Sequence, residues 1–200
     1  MRLNIPDRYL DLAPWVIATL FIAGIVHVVS VLLMPSVAPR DALARLAAYV
    51  KSAAPAEGLV LLPQMTPGAE MLPFEDPALA EAVCVYDLAK GPLRVKTSVD
   101  GEDYLGLSFH ASAGRIYHSM TDRSAIKGKI DIVVGDARQI DALVSADEGD
   151  APPPQEVRLT APTKRGFVLI RSFAKRPSDQ ERARSRLNAI TCQRFDLPQG

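Results

Sequence analysis

The stretch that decides the fold runs from Val83 to Thr121 and reads VCVYDLAKGPLRVKTSVDGEDYLGLSFHASAGRIYHSMT. It consists of short runs rich in apolar, β-branched and aromatic residues, with turn-forming pairs between them, at Gly91-Pro92, Asp100-Gly101 and Ala113-Gly114. Such runs, separated by turn residues, are typical of antiparallel hairpins. The strands predicted from this stretch are Val83–Leu88, Leu93–Val99, Tyr104–Ala111 and Arg115–Thr121.

The sequence that follows adds strands and helices to this pattern. The further predicted strands are Lys129–Val134, Val157–Thr160 and Phe167–Phe173. The predicted helices are a short one that starts at Asp76-Pro77, Ala137–Val144 with Asp136 as its cap, and Asp179–Ile190 with a capping box from Ser178 to Glu181. The expected fold class is mostly β (α+β), an antiparallel β-sandwich-like domain with flanking helices.

Prolines divide the segment that precedes this domain. Asp41–Ala53 has apolar residues at helical spacing and predicts a short amphipathic helix, and Leu59–Leu62 predicts a short strand. The prolines after Ala53 rule out one continuous helix. The expected organisation is a short tail at residues 1–11, a transmembrane anchor at 12–38, a proline-rich connector at 39–75 and the β-domain at 76–200.

A long apolar segment lies near the N-terminus. Leu12–Pro39 contains no Asp, Glu, Lys or Arg, and Trp15–Met34 is almost wholly apolar. A helix of about twenty such residues spans a hydrocarbon core about 30 Å thick. A signal peptide has a shorter apolar region, and the candidate cleavage site Ser36-Val37-Ala38 is followed by Pro39, which suits a peptidase poorly. The segment is therefore predicted to be an uncleaved single-pass anchor in the lipid bilayer.

The orientation of this anchor depends on the cysteines. The basic residues on its two sides are nearly balanced, so the positive-inside rule does not decide. The chain has two cysteines, Cys84 and Cys192, which fit one structural disulfide in an oxidising compartment, with two buried free thiols as the alternative. We therefore expect an inner-membrane protein with a cytoplasmic N-terminus and a periplasmic C-terminal domain.

One face of the predicted anchor carries small and polar residues. Ala23, Gly24, His27 and Ser30 follow Leu20 at helical spacing. Stripes of this kind support helix–helix packing in lipid, and a histidine at mid-depth needs a hydrogen-bonding partner. These four residues are therefore candidates for packing against another helix. The alternative is a neutral imidazole that local hydration tolerates.

The hairpin at 104–122 contains the candidate ligand residues Ser108, His110, His118 and Asp122. Their arrangement depends on the register, because successive side chains of a strand point to opposite faces. A two-residue turn places His118 opposite Phe109, on the other face from His110, whereas a three-residue loop places it opposite Ser108, on the same face. No further His or Cys lies nearby in sequence, so ordinary strand histidines are expected rather than a metal site.

Other motifs argue against catalysis and against nucleic acid. In Gly106–His110, His110 stands where a nucleophile elbow needs its second glycine. The chain has no Walker loop, no dinucleotide fingerprint and no CxxC pair, and its 23 basic and 23 acidic residues give a formal net charge of zero. We expect no catalytic residue, no cofactor and no nucleic-acid partner. Lys164, Arg165 and Arg171 are predicted as solvated positions, with a patch for an acidic ligand as the alternative.

Several segments of the β-domain resemble one uncharacterised family. Tyr86-Asp87-Leu88 followed by Gly91-Pro92 is similar to the DL-x-x-GP segment of the family called domain of unknown function 1254. Further similar segments are Leu107–His110 with Gly114 and Tyr117, Asp122–Ala125, and Pro162 with Gly166 before Phe167–Arg171. The resemblance spans about Asp76 to Cys192, and it implies a β-sandwich with no known catalytic residue. The chain looks closest to the compact, membrane-anchored versions in Gram-negative bacteria.

The resemblance also bears on partners. Longer relatives carry a second β-domain, called domain of unknown function 1214, which implies that a separate membrane protein could supply it here. The expected function is binding or assembly by the periplasmic domain, with such a membrane partner or with a second copy of the chain. The alternative is an envelope enzyme, or a receptor for a small ligand or a metal, that uses the hairpin. A purely structural envelope protein would show the same sequence features.

Overall fold

The structure is a computed structural model that describes residues 7–37, 42–53, 58–66, 68, 71–72, 75–99, 103–112, 114–147 and 155–197. The chain divides into two units, Met1–Pro39 and Arg40–Gly200. The first contains helix α1 (Asp7–Val37). Its stretch Asp11–Met34, 24 residues long, is long and apolar enough to cross a membrane, and none of that apolar stretch is buried. A signal sequence would meet the same criteria of length and composition.

The second unit is built mainly from strands, and every strand predicted from the sequence is present within it. The strands are β1 (Val60–Leu61), β2 (Leu79–Asp87), β3 (Leu93–Ser98), β4 (Leu105–Ala111), β5 (Ile116–Thr121), β6 (Lys129–Gly135), β7 (Val157–Thr160), β8 (Arg165–Phe173) and β9 (Thr191–Arg194). The helices are α2 (Ala42–Ser52), α3 (Ala137–Ala146) and α4 (Gln180–Asn188), with 3₁₀ turns at Leu88–Lys90, Asp122–Ser124 and Pro177–Asp179.

These strands form two sheets around a shared core. The five-stranded sheet has the order β1-β2-β8-β4-β5, and the four-stranded sheet has the order β7-β6-β3-β9. Phe109 and Ile170 of the first sheet are buried in the same cluster as Val95 and Ile132 of the second. Leu187 of α4 belongs to this cluster as well. The predicted fold class, a mostly β sandwich with flanking helices, is confirmed.

One strand pair departs from the antiparallel arrangement expected from the sequence. Strand β7 pairs with β6 in parallel, because α3 carries the chain back to the starting end of the sheet between them. The cap of α3 is as predicted. The Asp136 side chain accepts from the Gln139 N–H, and the Gln139 side chain accepts from the Asp136 N–H, which completes a capping box.

A second apolar cluster covers the outer face of the five-stranded sheet. Leu43 and Leu46 of α2 pack with Val83 of β2 and with Phe167 and Leu169 of β8. Leu46 has no exposed surface, and strand β1 adds Val60 beside it. Helix α2 and strand β1 lie in the stretch predicted as a connector. Helix α2 packs against the sheet, and β1 pairs with β2 as an edge strand of that sheet.

The segment at residues 76–78 corrects one prediction. No helix begins at Asp76-Pro77, because residues 77 and 78 form a turn and β2 starts at Leu79. The Asp76 carboxylate accepts from the Ala78 N–H at 2.8 Å, so the side chain closes a local turn instead of capping a helix.

The C-terminal helix corrects two further predictions. Residues Pro177–Asp179 form a 3₁₀ turn, and Asp179, at the N-cap of α4, makes no side-chain capping bond, so the capping box at 178–181 is absent. The helix ends at Asn188, and the chain continues into β9, a strand that the sequence analysis missed. Gln180 stabilises the start of the helix through a 2.7 Å bond from its amide to the Pro77 carbonyl.

The two cysteines form the predicted disulfide. Cys84 lies on the core-facing side of β2, and Cys192 lies on β9, at a sequence separation of 108. Both are buried in the core between the sheets. The bond therefore links the five-stranded sheet directly to an edge of the four-stranded sheet.

Replacing both cysteines in Cys84→Ala/Cys192→Ala should lower the free energy of unfolding by about 2–5 kcal/mol, because the unfolded chain loses a long closed loop. Guanidinium unfolding of the full chain in detergent measures this change. Reductant should bring wild type close to the double variant and leave the variant itself unchanged. Equal stability of oxidised wild type and the variant would show that the bond does not stabilise the fold.

Candidate functional site

Two of the four predicted hairpin residues meet on the outer face of the five-stranded sheet. Ser108 and His110 alternate on β4 with the core residues Leu107 and Phe109, so their side chains point away from the core. The Ser108 Oγ lies 2.9 Å from His110 Nε2 and 3.2 Å from the Leu169 carbonyl oxygen. The pair is half-buried.

The surroundings of His110 set its protonation state. The Gly114 carbonyl, 2.9 Å from Nδ1, can only accept, so Nδ1 carries the proton. Burial lowers the pKa of His110, the bond to Gly114 raises it, and the charge of Arg171 lowers it further, with a net lowering. The imidazole is therefore neutral at pH 7 with Nε2 as an acceptor, and the single Ser108 hydroxyl proton is shared between two acceptors, Nε2 and the Leu169 carbonyl. The ring stacks on Phe167 at a centroid distance of 4.4 Å.

This Ser–His pair has the distance of a nucleophile and its base, but its setting differs from a hydrolase site. The group that orients the histidine is a backbone carbonyl, which cannot stabilise an imidazolium as a carboxylate does. Strand β4 is paired along both edges, with β8 and with β5. The backbone N–H groups around Ser108 are thus engaged in the sheet rather than free for an oxyanion. The geometry fits a structural contact better than a catalytic one.

The other two hairpin residues lie apart from this pair. His118 pairs with Phe109, and their rings are 5.9 Å apart, so His118 faces the opposite side from His110. A bulge shifts the register so that His110 pairs with Ile116. Asp122 lies in the 3₁₀ turn after β5, where its carboxylate is 3.5 Å from the Leu105 N–H. Among the described residues, no group of three His, Cys, Asp or Glu side chains is placed to hold a metal ion.

A tyrosine pair that the sequence analysis missed joins the ends of three strands. The Tyr86 hydroxyl lies 3.1 Å from the Tyr117 hydroxyl and donates to the His110 carbonyl at 3.2 Å. Gly166 lies beneath the Tyr86 ring, where a Cβ would collide with the Tyr86 hydroxyl and the His110 carbonyl. Burial raises the pKa of both tyrosines, and the bond to Tyr86 raises that of Tyr117 further. Both hydroxyls stay protonated and hold β2, β4 and β5 together.

Most charged side chains on the sheets are paired. On the outer face of the five-stranded sheet, Arg171 Nε bonds the buried Glu81 carboxylate at 2.7 Å. On the four-stranded sheet, Arg94 donates to both Asp131 oxygens at 2.9 Å and lies 2.8 Å from Glu156. Burial raises the pKa of Asp131, but the bonds and charges of Arg94 and Lys96 outweigh it and lower that pKa overall.

One cleft lies where basic side chains gather. It has a volume of about 260 Å³ and is located between α2, the end of β2 with its 3₁₀ turn, and the neighbouring ends of β3, β8 and β9. Its charged lining residues are Asp87, Lys90, Arg165 and Arg194. Sequence analysis predicted Arg165 as a solvated position and did not group it with Lys90. Tyr86-Asp87 and Gly91-Pro92, which belong to the DL-x-x-GP segment, also line this cleft. Only the pairing of β2 with β8 brings these segments together.

Fold and site define a disulfide-linked β-sandwich domain that follows an apolar N-terminal helix. The chain belongs to the family described as Protein of unknown function (DUF1254), whose profile matches residues 75–194. A comparison with functionally curated proteins finds no match.

Two solved structures are similar in outline. One is the VPA0106 protein from Vibrio parahaemolyticus, at 11% identity and a TM-score of 0.49, which covers 75% of this chain and 34% of that one. The other is an uncharacterized protein from Burkholderia cenocepacia, at 15% identity and a TM-score of 0.44, which covers 77% of this chain and 39% of that one. The aligned part of this chain therefore spans little more than a third of either protein.

The lowered pKa of His110 predicts a pH dependence of stability. Above about pH 6.5, the ordinary pKa of histidine, the His110 imidazole is neutral in both the folded and the unfolded states. Its contribution to the free energy of unfolding is then complete. As the pH falls from there towards the lower folded pKa, the unfolded state binds the proton first, so the free energy of unfolding decreases. Denaturant unfolding between pH 8 and pH 5 should show a smaller decrease for His110→Gln than for wild type, whereas His118→Gln serves as the matched control. Equal decreases for wild type and His110→Gln would contradict this assignment.

Proposed function

We propose that this chain is a single-pass inner-membrane protein whose exported β-sandwich domain acts in binding or assembly in the periplasm. The observation that carries the proposal is the combination, in one chain, of an apolar helical stretch of membrane-spanning length with no buried residue, Asp11–Met34, and a disulfide-linked domain. The apolar side chains of Phe21 and Leu32 are 70% and 73% exposed. Side chains of this kind need lipid or protein around them. A persistent disulfide needs an oxidising compartment.

The geometry of the hairpin argues against catalysis. The Ser108 Oγ lies within hydrogen-bond distance of both His110 Nε2 and the Leu169 carbonyl oxygen, and the histidine is held by a backbone oxygen. The alternative of an envelope enzyme or a metal-binding receptor on the hairpin would need Ser108, His110, His118 and Asp122 to act together. The first two lie on the opposite face of the sheet from His118, which leaves this alternative with less support.

Topology can be tested with single added cysteines in whole cells. An impermeant maleimide should label Ser124→Cys, at an exposed position of the domain, once the outer membrane is permeabilised, and should label Asn4→Cys only after the inner membrane is lysed. A tag placed before Met1 should stay on the full-length chain, which has a mass of 21.7 kDa without the tag. The reverse labelling pattern would contradict the topology, and loss of the tag would show a cleaved signal.

The proposed partner is a second membrane protein with a complementary β-domain, or a second copy of this chain, bound in part through the stripe of Ala23, Gly24, His27 and Ser30. Gly24 has open space where a Cβ would stand, so a neighbouring helix can approach the backbone there.

Purification in mild detergent should therefore yield a stoichiometric partner or a dimer for wild type, and less of it for Gly24→Leu and His27→Leu. Val29→Leu, on the opposite face of α1, is the matched control and should behave as wild type. A wild-type chain that purifies alone and monomeric would contradict the proposal. Equal loss in Val29→Leu would contradict the role of the stripe.

A further inference from the structure

The cleft beside the 3₁₀ turn at Leu88–Lys90 has an excess of positive charge. Lys90, Arg165 and Arg194 line it against one acidic side chain, Asp87. Among the described residues, Lys90 and Arg165 form no ion pair, although Arg94, Arg158, Arg171, Arg182 and Arg186 all do so elsewhere on the domain. The Asp87 carboxylate accepts from the Ala89 N–H at 3.2 Å, where it caps the turn. The cleft therefore presents Lys90 and Arg165 as cations that form no ion pair within the described part of the chain, and basic side chains outnumber carboxylates among its described lining residues.

The backbone around these cations is fixed. Arg165 pairs across the sheet with Asp87, and its carbonyl accepts from the Thr163 hydroxyl at 2.7 Å. The turn that carries Lys90 is held by the Gln139 amide, which donates to the Leu88 carbonyl at 2.8 Å. Gly91, at φ 133°, follows directly, in a conformation that favours glycine. The side chains of Lys90 and Arg165 thus extend from rigid backbone at defined positions, which lowers the entropic cost of binding an anion.

The third basic residue contributes a packed wall. The aliphatic part of the Arg194 side chain lies over Gly91, where a Cβ would come within 3.0 Å of its Cγ and Cδ. Any larger residue at position 91 would displace this side chain. The Arg194 guanidinium also donates weakly, at 3.4 Å, to the Lys90 carbonyl. Gly91 and Arg194 therefore shape the cleft on the side of β9.

Apolar side chains also line the cleft. They come from Val50 of α2, Val85 of β2, Pro92 and Leu93, and the volume of about 260 Å³ is close to the lower end for small-ligand sites. A ligand that fits both surfaces carries an anionic oxygen-bearing head and a short apolar part. Arginine is well suited to such heads, because its planar guanidinium donates two parallel bonds to a carboxylate or phosphate.

We infer that this cleft is a binding site for a small organic anion, with its carboxylate or phosphate head on Lys90 and Arg165 and its apolar part against Val50, Val85 and Leu93. The site lies wholly within the second unit, Arg40–Gly200, and does not depend on the proposed membrane topology. A result that contradicts the membrane topology therefore leaves the binding site unaffected, and a failure to bind the anion leaves the topology unaffected.

Calorimetric titration of the full chain in a nonionic detergent tests the site with hexyl phosphate as the probe and 1-hexanol and hexylammonium as its neutral and cationic counterparts. Saturable binding is expected for hexyl phosphate and much weaker binding for the other two. Lys90→Gln/Arg165→Gln should raise the Kd for hexyl phosphate at least about tenfold, since it removes both charge-assisted contacts. Both side chains are exposed, so the melting curve of the variant should match wild type.

The matched control is Arg123→Gln/Arg138→Gln, which removes the same charge from two exposed positions outside the cleft. It should bind hexyl phosphate as wild type does. Dihexanoyl phosphatidate distinguishes two sources of the same head group, because tighter binding than hexyl phosphate assigns a lipid and weaker binding assigns a free small anion. Equal affinity for hexanol, equal effects of the two double variants, or no saturable binding of either phosphate would overturn the inference.

Discussion

The fold depends on the burial of one strand pair on both of its faces. Strands β2 and β8 pair over nine residues, with Ala82 and Ile170 facing the core between the sheets and Val83 and Leu169 facing outward into a second apolar cluster. An antiparallel sheet commonly leaves one face to water, but this pair cannot. The four-stranded sheet covers one face and helix α2 covers the other. The segment before residue 75, outside the part of the chain that matches the family, is therefore needed to complete the hydrophobic core.

Sequence predicted the strands well and their connections less well. Alternation and turn residues identified Leu93–Ser98 and Leu105–Ala111 almost to the residue, because these strands bury one face and their turns carry Gly, Pro or Asp. Strand β9 was missed because its four residues, Thr191–Arg194, are mostly polar and gain their place only by pairing with β3. The parallel pairing of β7 depends on where α3 returns the chain, which no local pattern encodes. The disulfide was predicted from the number of cysteines and their positions in the chain, not from geometry.

At the candidate site, too, local spacing was predicted well and long-range contacts were not. The i, i+2 spacing of Ser108 and His110 is enough to place them side by side on one face of a strand. The bulge that separates His118 from them is a departure from regular pairing, and the sequence offered two registers without deciding between them. Tyr86 and Tyr117 are 31 residues apart, and their contact requires that β2, β8, β4 and β5 all have the correct neighbours. Long-range contacts of this type follow from topology rather than from motifs.

A formal net charge of zero conceals an uneven local distribution. Opposite charges are matched in pairs and networks across the sheets, such as Arg94 with Asp131 and Glu156. This pairing stabilises the side chains locally, and their electric fields cancel at a distance. Among the described lining residues of the cleft, basic side chains outnumber carboxylates, since Asp87 stands beside Lys90, Arg165 and Arg194. Net charge thus argues against a large polyanion such as nucleic acid, but it is silent about a single small anion. The pairing of individual charges, which only the fold reveals, is what distinguishes the two.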